Sequence, residues 1–219
     1  MAFDGITIAA MVSELNKNLS GGRINKIAQP ESDELLITGK GANGQKRLLL
    51  SASASLPLIY FTGKNRISPL TAPNFCMLLR KHIGSARITA IRQPGLERVV
   101  EFELEHLNEL GDVCHKVLIM ELMGKHSNII FCDDNNMILD SIKHVSCNVS
   151  SVREVLPGRP YFIPHTQDKL EPLTISREDF MEKVCGRSNA VSKALYKTLT
   201  GFSPVMAQEL CYRASIDGN

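Results

Sequence analysis

The sequence predicts an α+β fold, with an antiparallel strand-rich body carrying two helices and a short helical tail behind it. Three observations predict it. Short apolar stretches separated by Gly-rich or polar turns recur through residues 23–62 and again through 87–142, the pattern of antiparallel pairing rather than of βαβ units. Two stretches carry helical spacing or helix punctuation, one opening the chain and one near residue 75. Beyond Ile175 the strand pattern stops and helix-capping residues take over. At 219 residues the chain is long enough for one good core plus a small appended module.

In chain order, Ile8, Met11, Val12, Leu15 and Leu19 recur at helical spacing and predict a helix from Ile6 to Leu19. Asp4 stands where a cap would, and Gly21-Gly22 supplies a left-handed stop. Arg23–Gln29, Glu34–Thr38, Lys46–Ser51 and Leu58–Thr62 read as strands, with Gly39-Lys40-Gly41 as a turn. The run Ser68–Gly84 has prolines at its front, bases in its last turn and Gly at its end, which is helix punctuation in the correct order. Arg87–Gln93, Arg98–Leu104, Val117–Leu122, Asn128–Cys132 and Ile138–Ile142 follow as strands, then a loop through Leu156–Tyr161 and a Pro-bearing linker near Pro164–Pro172. In the tail, Ser176 caps one helix. Two short helices, Ala190–Leu199 and Val205–Ala214, flank Thr200–Pro204, where Ser203 caps and Pro204 takes the first helical position. Two helices around a Gly turn can meet a nucleic-acid backbone through turn amides, and they are equally common as plain structure.

Composition narrows the function classes. With 43% hydrophobic and 22% charged residues the chain is neither disordered nor fibrous. No apolar run reaches the roughly 20 residues of a membrane span, and the N-terminus carries no export signature, so a cytoplasmic location without membrane contact is expected. The six cysteines are scattered without a C-x-x-C pair, which favours reduced thiols and argues against zinc. No metal or cofactor is expected. The net charge of +2 hides an asymmetry: residues 1–98 hold thirteen Lys/Arg against six Asp/Glu, whereas residues 99–175 hold six against twelve. Such a field suits orientation on a polyanion, although solvated faces of different strands would give the same count. The candidate RNA phosphate contacts in the basic segment are Arg23, Lys26, Arg80, Lys81, Arg87 and Arg92. Arg80 and Lys81 could instead complement the end of their own helix.

The familiar phosphate-loop, dinucleotide, zinc-hydrolase and nucleophile-elbow motifs are absent from the sequence. His126 beside Ser127 invites a catalytic reading, but adjacent strand residues face opposite ways, and a turn whose Ser and Asn satisfy backbone groups is preferred. Glu101, Glu103 and Glu105 alternate and line one strand face. The segment Arg92–Arg98 holds a Pro-Gly turn that presents Glu97 and Arg98 side by side. Glu97 can accept from base amino groups, and Arg98 can donate to a phosphate or stack on a base. A surface ion pair is the competing account.

Several stretches together resemble one family. They are Phe3-Asp4-Gly5, Leu19–Pro30, Phe75–His82, Glu121–Ile130 and Ser151–Gly158. They resemble the N-terminal domain of bacterial NFACT proteins, the RqcH-like ribosome quality-control factors once named for fibronectin or fibrinogen binding. The resemblance covers residues 1–175, and residues 176–219 resemble the start of the family's helix–hairpin–helix middle domain, so the chain is expected to be part of a longer protein. The fold implied is a β-sandwich-like domain with two helices, similar to the N-terminal domain of formamidopyrimidine-DNA glycosylases. Their N-terminal proline nucleophile has no counterpart in Met1-Ala2-Phe3.

The function implied is that of a factor, not an enzyme. It binds the large ribosomal subunit obstructed by peptidyl-tRNA and recruits tRNA, typically alanyl-tRNA, for template-free C-terminal tailing of stalled chains. The family's tRNA-recruiting Asp-Arg pair corresponds to Glu97 and Arg98, where the carboxylate reaches one methylene further than usual. The alternative class is a fibronectin- or fibrinogen-binding surface adhesin. A DNA-processing enzyme stands third.

Overall fold

A computed structural model describes residues 3–164, 168–186 and 189–218. Residues 165–167 of the expected linker lie outside the described residues. The chain forms two compact units. One comprises residues 11–92 and 99–164, the other residues 1–10, 93–98 and 165–219.

Helix α1 runs over Gly5–Leu19, and Asp4 caps it as expected by accepting the Thr7 amide at 2.8 Å. The larger unit is built on strands β1 (Arg23–Ala28), β2 (Glu34–Gly41), β3 (Gly44–Ser51), β4 (Leu58–Phe61), β5 (Arg87–Arg92), β6 (Val99–Leu107), β7 (Val113–Glu121), β8 (Asn128–Asp133) and β9 (Ile138–Ser141). All nine join one antiparallel sheet in the order β4-β3-β2-β1-β5-β6-β7-β8-β9. The resemblance implied a β-sandwich-like body; its strands are hydrogen-bonded into one continuous sheet. It narrows at the β1–β5 junction, where Arg23 and Arg87 are the one pair of Cα partners. Asn16 of α1 reinforces the β5 side of that junction, its side-chain amide donating to the Ile91 carbonyl (2.6 Å) and accepting from the Ile91 amide (3.1 Å).

The turn placed at Gly39-Lys40-Gly41 is the end of β2 instead. The register continues through Lys40↔Gln45 to Gly41↔Gly44, and Gly44 takes the left-handed φ of +84° after a two-residue connection. Gly41 is small for another reason: a Cβ there would lie 2.0 Å from the Asn18 carbonyl oxygen at the end of α1. The second helix is also shorter than its punctuation. Helix α2 covers Asn74–Ile83, starting after Pro73, and buries Phe75, Cys76, Leu79 and Ile83. The β6–β7 hairpin is longer than the sequence predicts, reaching to Leu107 and Val113 around a turn in which Asn108 Oδ1 accepts the Leu110 and Asp112 amides.

The Met123–Asn128 cluster has the structural role preferred from sequence. Gly124–His126 is a single 3-10 turn. Ser127 Oγ accepts the Met123 amide, and Asn128 Oδ1 accepts the amides of Ile129 and Lys143. Beside it, Glu121 is fully buried and held by Arg153, whose Nη2 lies 2.6 and 2.5 Å from the two carboxylate oxygens, while Tyr161 Oη donates at 3.0 Å. A buried carboxylate needs such partners.

In the smaller unit, Ser176 caps α3 (Arg177–Phe180), which continues into a π turn over Met181–Cys185. Helices α4 (Val191–Thr198) and α5 (Pro204–Arg213) follow, with Ser203 capping α5 through the Met206 amide. They close an apolar cluster of Val184, Ala194, Leu195, Leu199, Ala207 and Cys211. Among the described residues no helix is long and apolar enough to cross a membrane, and no group of three or more His, Cys, Asp and Glu gathers as a metal site.

Candidate nucleic-acid interface

The connection Gln93–Arg98 belongs to the smaller unit. Its turn closes through the Glu97 amide donating to the Pro94 carbonyl at 3.0 Å, with Gly95 at a left-handed φ of +52°. Gln93 braces the turn from inside, because its Nε2 donates to the carbonyls of both Gly5 (2.8 Å) and Glu97 (2.9 Å). Glu171 braces it from the other side, accepting the Leu96 amide at 3.3 Å. The left-handed φ calls for glycine at Gly95, and a Cβ there would also press 2.2 Å from the Glu171 carboxylate and push that brace aside.

Three backbone segments meet beneath this turn. The Gly5 amide donates to the Gly201 carbonyl at 2.9 Å. A Cβ on Gly5 would fall 2.0 Å from the Leu96 carbonyl oxygen, and one on Gly201 would fall 2.5 Å from Leu96 Cβ. Asp4 fastens the same crossing, its Oδ2 accepting from Ser203 Oγ at 2.6 Å. Burial works to raise the Asp4 carboxyl, but the hydrogen bonds from Ser203 and Thr7 outweigh it and hold the group below the ordinary range. Glu97 and Arg98, both half-buried, are therefore carried on a rigid turn rather than on a free loop.

A third charged group joins them. Lys169 donates from Nζ to the Tyr196 carbonyl at 2.8 Å. Its pKa is lowered by burial first and by the Arg98 charge second, with Glu97 pulling the other way. The Arg98 charge therefore disfavours the protonated amine of Lys169, and Glu97 favours it. An anion arriving beside Lys169 would favour its charged form.

The other sequence candidates all lie in the larger unit. Arg23 and Arg87 are exposed and face one another as cross-strand partners. Arg23 also donates to the Ser85 carbonyl at 3.2 Å. Lys26 is exposed on β1 and lines a groove of about 380 Å³ with Arg47 and Arg66. Arg80 directs Nε into the Ile27 carbonyl at 2.8 Å, which ties α2 to β1, and Lys81 beside it is exposed. Arg92 is paired with Glu103 at 2.9 Å, so part of its charge is already answered. The alternating acids of β6 are not a freely solvated row: burial, then the neighbouring Glu103, raises the Glu101 pKa, and Arg92 opposes both.

Sequence reasoning missed Lys169, Glu171, Gln93 and the glycine pair Gly5 and Gly201. Of these, Gln93 carried a signal, standing next to the Pro-Gly turn. Lys169 had none, since only the fold brings it to Arg98.

A family model described as the NFACT N-terminal and middle domains matches residues 4–219. Among curated proteins, the chain is 40% identical over 219 residues to the Rqc2 homolog RqcH of Bacillus subtilis (strain 168), covering 99% of this chain and 38% of that one. It is 29% identical over 219 residues to the archaeal Rqc2 homolog aRqcH of Methanocaldococcus jannaschii, covering 97% and 31%. The chain therefore spans less than two fifths of the length of these relatives. Among solved structures, the N-terminal domain of the fibronectin-binding protein PavA from Streptococcus pneumoniae superposes with a TM-score of 0.89 at 36% identity, over 98% of this chain and 80% of that one. The N-terminal part of the fibronectin/fibrinogen-binding protein of Streptococcus suis gives 0.90 at 36% identity, over 99% and 81%.

Proposed function

Because the chain belongs to the NFACT family over that family's N-terminal and middle domains, we propose that it is the tRNA-holding part of a ribosome quality-control factor. In this reading the longer protein, acting in the cytoplasm, binds the large ribosomal subunit obstructed by peptidyl-tRNA. It recruits tRNA, alanyl-tRNA by preference, for template-free tailing of the stalled chain. The factor makes no covalent bond itself; peptide-bond formation stays with the ribosome, and the chain's part is to select and hold. We read α4, the Gly201 turn and α5 as the beginning of a helix–hairpin–helix domain that adds a backbone contact.

The observation that carries the reading is the braced Glu97–Arg98 turn with Lys169 behind it. Unpaired anticodon-loop bases are splayed and accessible, whereas the A-form major groove is too narrow for side chains. Arg98 offers a guanidinium plane for stacking and a fork of donors. Lys169 offers a point charge for a phosphate. Glu97 accepts from a base amino group or holds the guanidinium, roles that justify a carboxylate beside a polyanion.

The test is the tRNA that co-purifies with ribosome-bound full-length protein, with thermal melts of each variant. Arg98→Ala should lower bound tRNA at wild-type stability. Glu97→Asp should keep binding or shift its preference, and Glu97→Arg should abolish discrimination while retaining nonspecific affinity. Unchanged amount and identity of tRNA with Arg98→Ala would make the pair an ordinary surface ion pair. Saturable fibronectin capture unaffected by these variants would favour the adhesin reading instead.

A further inference from the structure

The outer face of β1–β3 carries charge in an arrangement that costs stability. Strand register places Arg23 directly between two cations, with Lys40 of β2 on one side and Arg87 of β5 on the other. Like charges in opposed cross-strand positions destabilise a sheet. Glu105, the β6 partner of Arg87, answers the row at one end, whereas the other end is Gln45. The next row on the same face, two residues along β2 and β3 and three along β1 across its bulge, runs Lys26–Thr38–Arg47, and beyond it Ala28–Leu36–Leu49–Tyr60 packs as an apolar cluster. The face is therefore graded, from a cationic row through a mixed row to an apolar floor. The exposed segment 63–70 overhangs it, and its Asn65, Arg66 and Ser68 complete the groove of about 380 Å³. Arg47 Nη1 donates to the Gly63 carbonyl at 3.4 Å, and Arg66 pairs with Glu34 at 3.0 Å, which sets the segment against the strands.

We infer that this groove and the cationic row beside it bind the phosphodiester backbone of RNA, as a contact surface separate from Glu97 and Arg98; the choice of RNA rests on the function proposed above. Three features favour a polyanion with its charge on the backbone. Strands β1, β2 and β3 are interior in the sheet order, so an acidic peptide finds no free edge to pair with. Cations in two adjacent rows, with the hydroxyl of Thr38 and the amides of Gln45 and Asn65 among them, are the donor types that phosphate oxygens take. The apolar floor gives the groove Ala28 and Leu36, both buried, and no aromatic residue among its lining of the kind that anchors protein–protein contacts.

The experiment measures affinity of the 219-residue chain for a fluorescein-labelled tRNA transcript across a salt series, with melts of each variant. Lys26→Gln/Lys40→Gln/Arg47→Gln should weaken binding about ten- to hundredfold near 0.1 M salt. It should also flatten the slope of log K against log salt by roughly two to three counterions. Lys40→Gln, which relieves the repulsion with Arg23, should hold or raise the melting temperature while affinity falls, a pair of opposite signs that lost folding cannot produce. If removal of Arg47 loosens the overhanging segment, Lys26→Gln/Lys40→Gln keeps the test. Unchanged affinity and slope in these variants would overturn the inference, and so would a wild-type chain that binds no RNA. If Arg98→Ala weakens binding and the groove variants do not, the groove fails while the tRNA reading stands; the converse result upholds the groove and removes the role given to Arg98. Poly-glutamate displacing the RNA at equal charge concentration would overturn RNA as the ligand.

Discussion

Replacing Gly5 by Ala sets two effects of opposite sign against each other. Gly5 is the first residue of α1, and alanine in a helix is favoured over glycine by up to about 1 kcal/mol. On that ground alone the variant would be more stable. The added Cβ, however, would lie 2.0 Å from the Leu96 carbonyl oxygen and 2.6 Å from Gly201 Cα. Both obstacles are backbone, so neither can rotate away, and relief requires a shift of the order of 1 Å in one of two braced segments. Forcing one extra carbon into a packed site costs about 1–3 kcal/mol. Loss of the Gly5–Gly201 hydrogen bond adds about 1 kcal/mol. The clash wins, with a net loss of about 1–3 kcal/mol. Urea unfolding monitored by circular dichroism reads that difference directly, with Gly21→Ala as comparison. Gly21 has a left-handed φ of +76° but open space around its Cβ, so its variant carries only the backbone penalty. Because Gln93 spans Gly5 and Glu97, tRNA affinity should drop along with stability in Gly5→Ala. A Gly5→Ala protein as stable as wild type, or more so, would refute the reasoning about the crossing.

Further outcomes follow from the buried Glu121 and the half-buried Asp4. Burial raises the Glu121 pKa against the opposing pull of Arg153 and Tyr161, so Arg153→Leu strands a carboxylate in the core and should cost about 3–5 kcal/mol. Tyr161→Phe should cost about 1 kcal/mol, and Glu121→Leu/Arg153→Leu should recover most of the single-variant loss in urea midpoints; no recovery would place the damage in packing rather than charge. The folded Asp4 carboxyl lies below the ordinary aspartate value of 3.8, so its contribution is present above about pH 4 and is lost as pH falls through the lowered folded value. Asp4→Asn should therefore flatten the acid limb of stability between pH 2 and 5, and a limb of unchanged steepness would show that other carboxylates dominate it.

The positions of most elements were legible because their signals are local. The caps at Asp4, Ser176 and Ser203 form the hydrogen bonds their residue types announce. What local signals could not supply was the reason for a residue's smallness. Gly39 and Gly41 read as a turn because glycine usually marks one, whereas here they let β2 pass close to the end of α1, with a Gly39 Cβ only 3.3 Å from Leu19 Cδ2. The true turn glycine is Gly44. The prolines before α2 misled in the same way. A proline is compatible with a first helical turn, but the chain does not become helical until the residue after Pro73, and the stretch from 63 to 70 became the rim of a groove instead.

The candidate site divides along the same line between local and long-range information. Glu97 and Arg98 could be found because a Pro-Gly turn and two opposite charges are adjacent in sequence. Most of their environment could not, because apart from Gln93 the groups that brace them, Gly5, Glu171 and Gly201, arrive from distant parts of the chain. This difference bears on specificity. An Arg on a free surface turn spends its binding energy on ordering itself, so it attracts any polyanion weakly and distinguishes among them little. A turn fixed by the Gln93 amide, the Glu171 carboxylate and two glycine contacts has its backbone ordered before any ligand arrives. Lys169, partly buried and with its charge disfavoured by Arg98, would regain its full charge beside a bound anion. The cationic rows of β1–β3 differ, with the long exposed side chains of Arg23, Lys26 and Lys40 in and beside a groove, suited to charge rather than to base identity. Contacts of the second kind are salt-sensitive and those of the first less so, and substitutions at the two sets should separate on the salt axis.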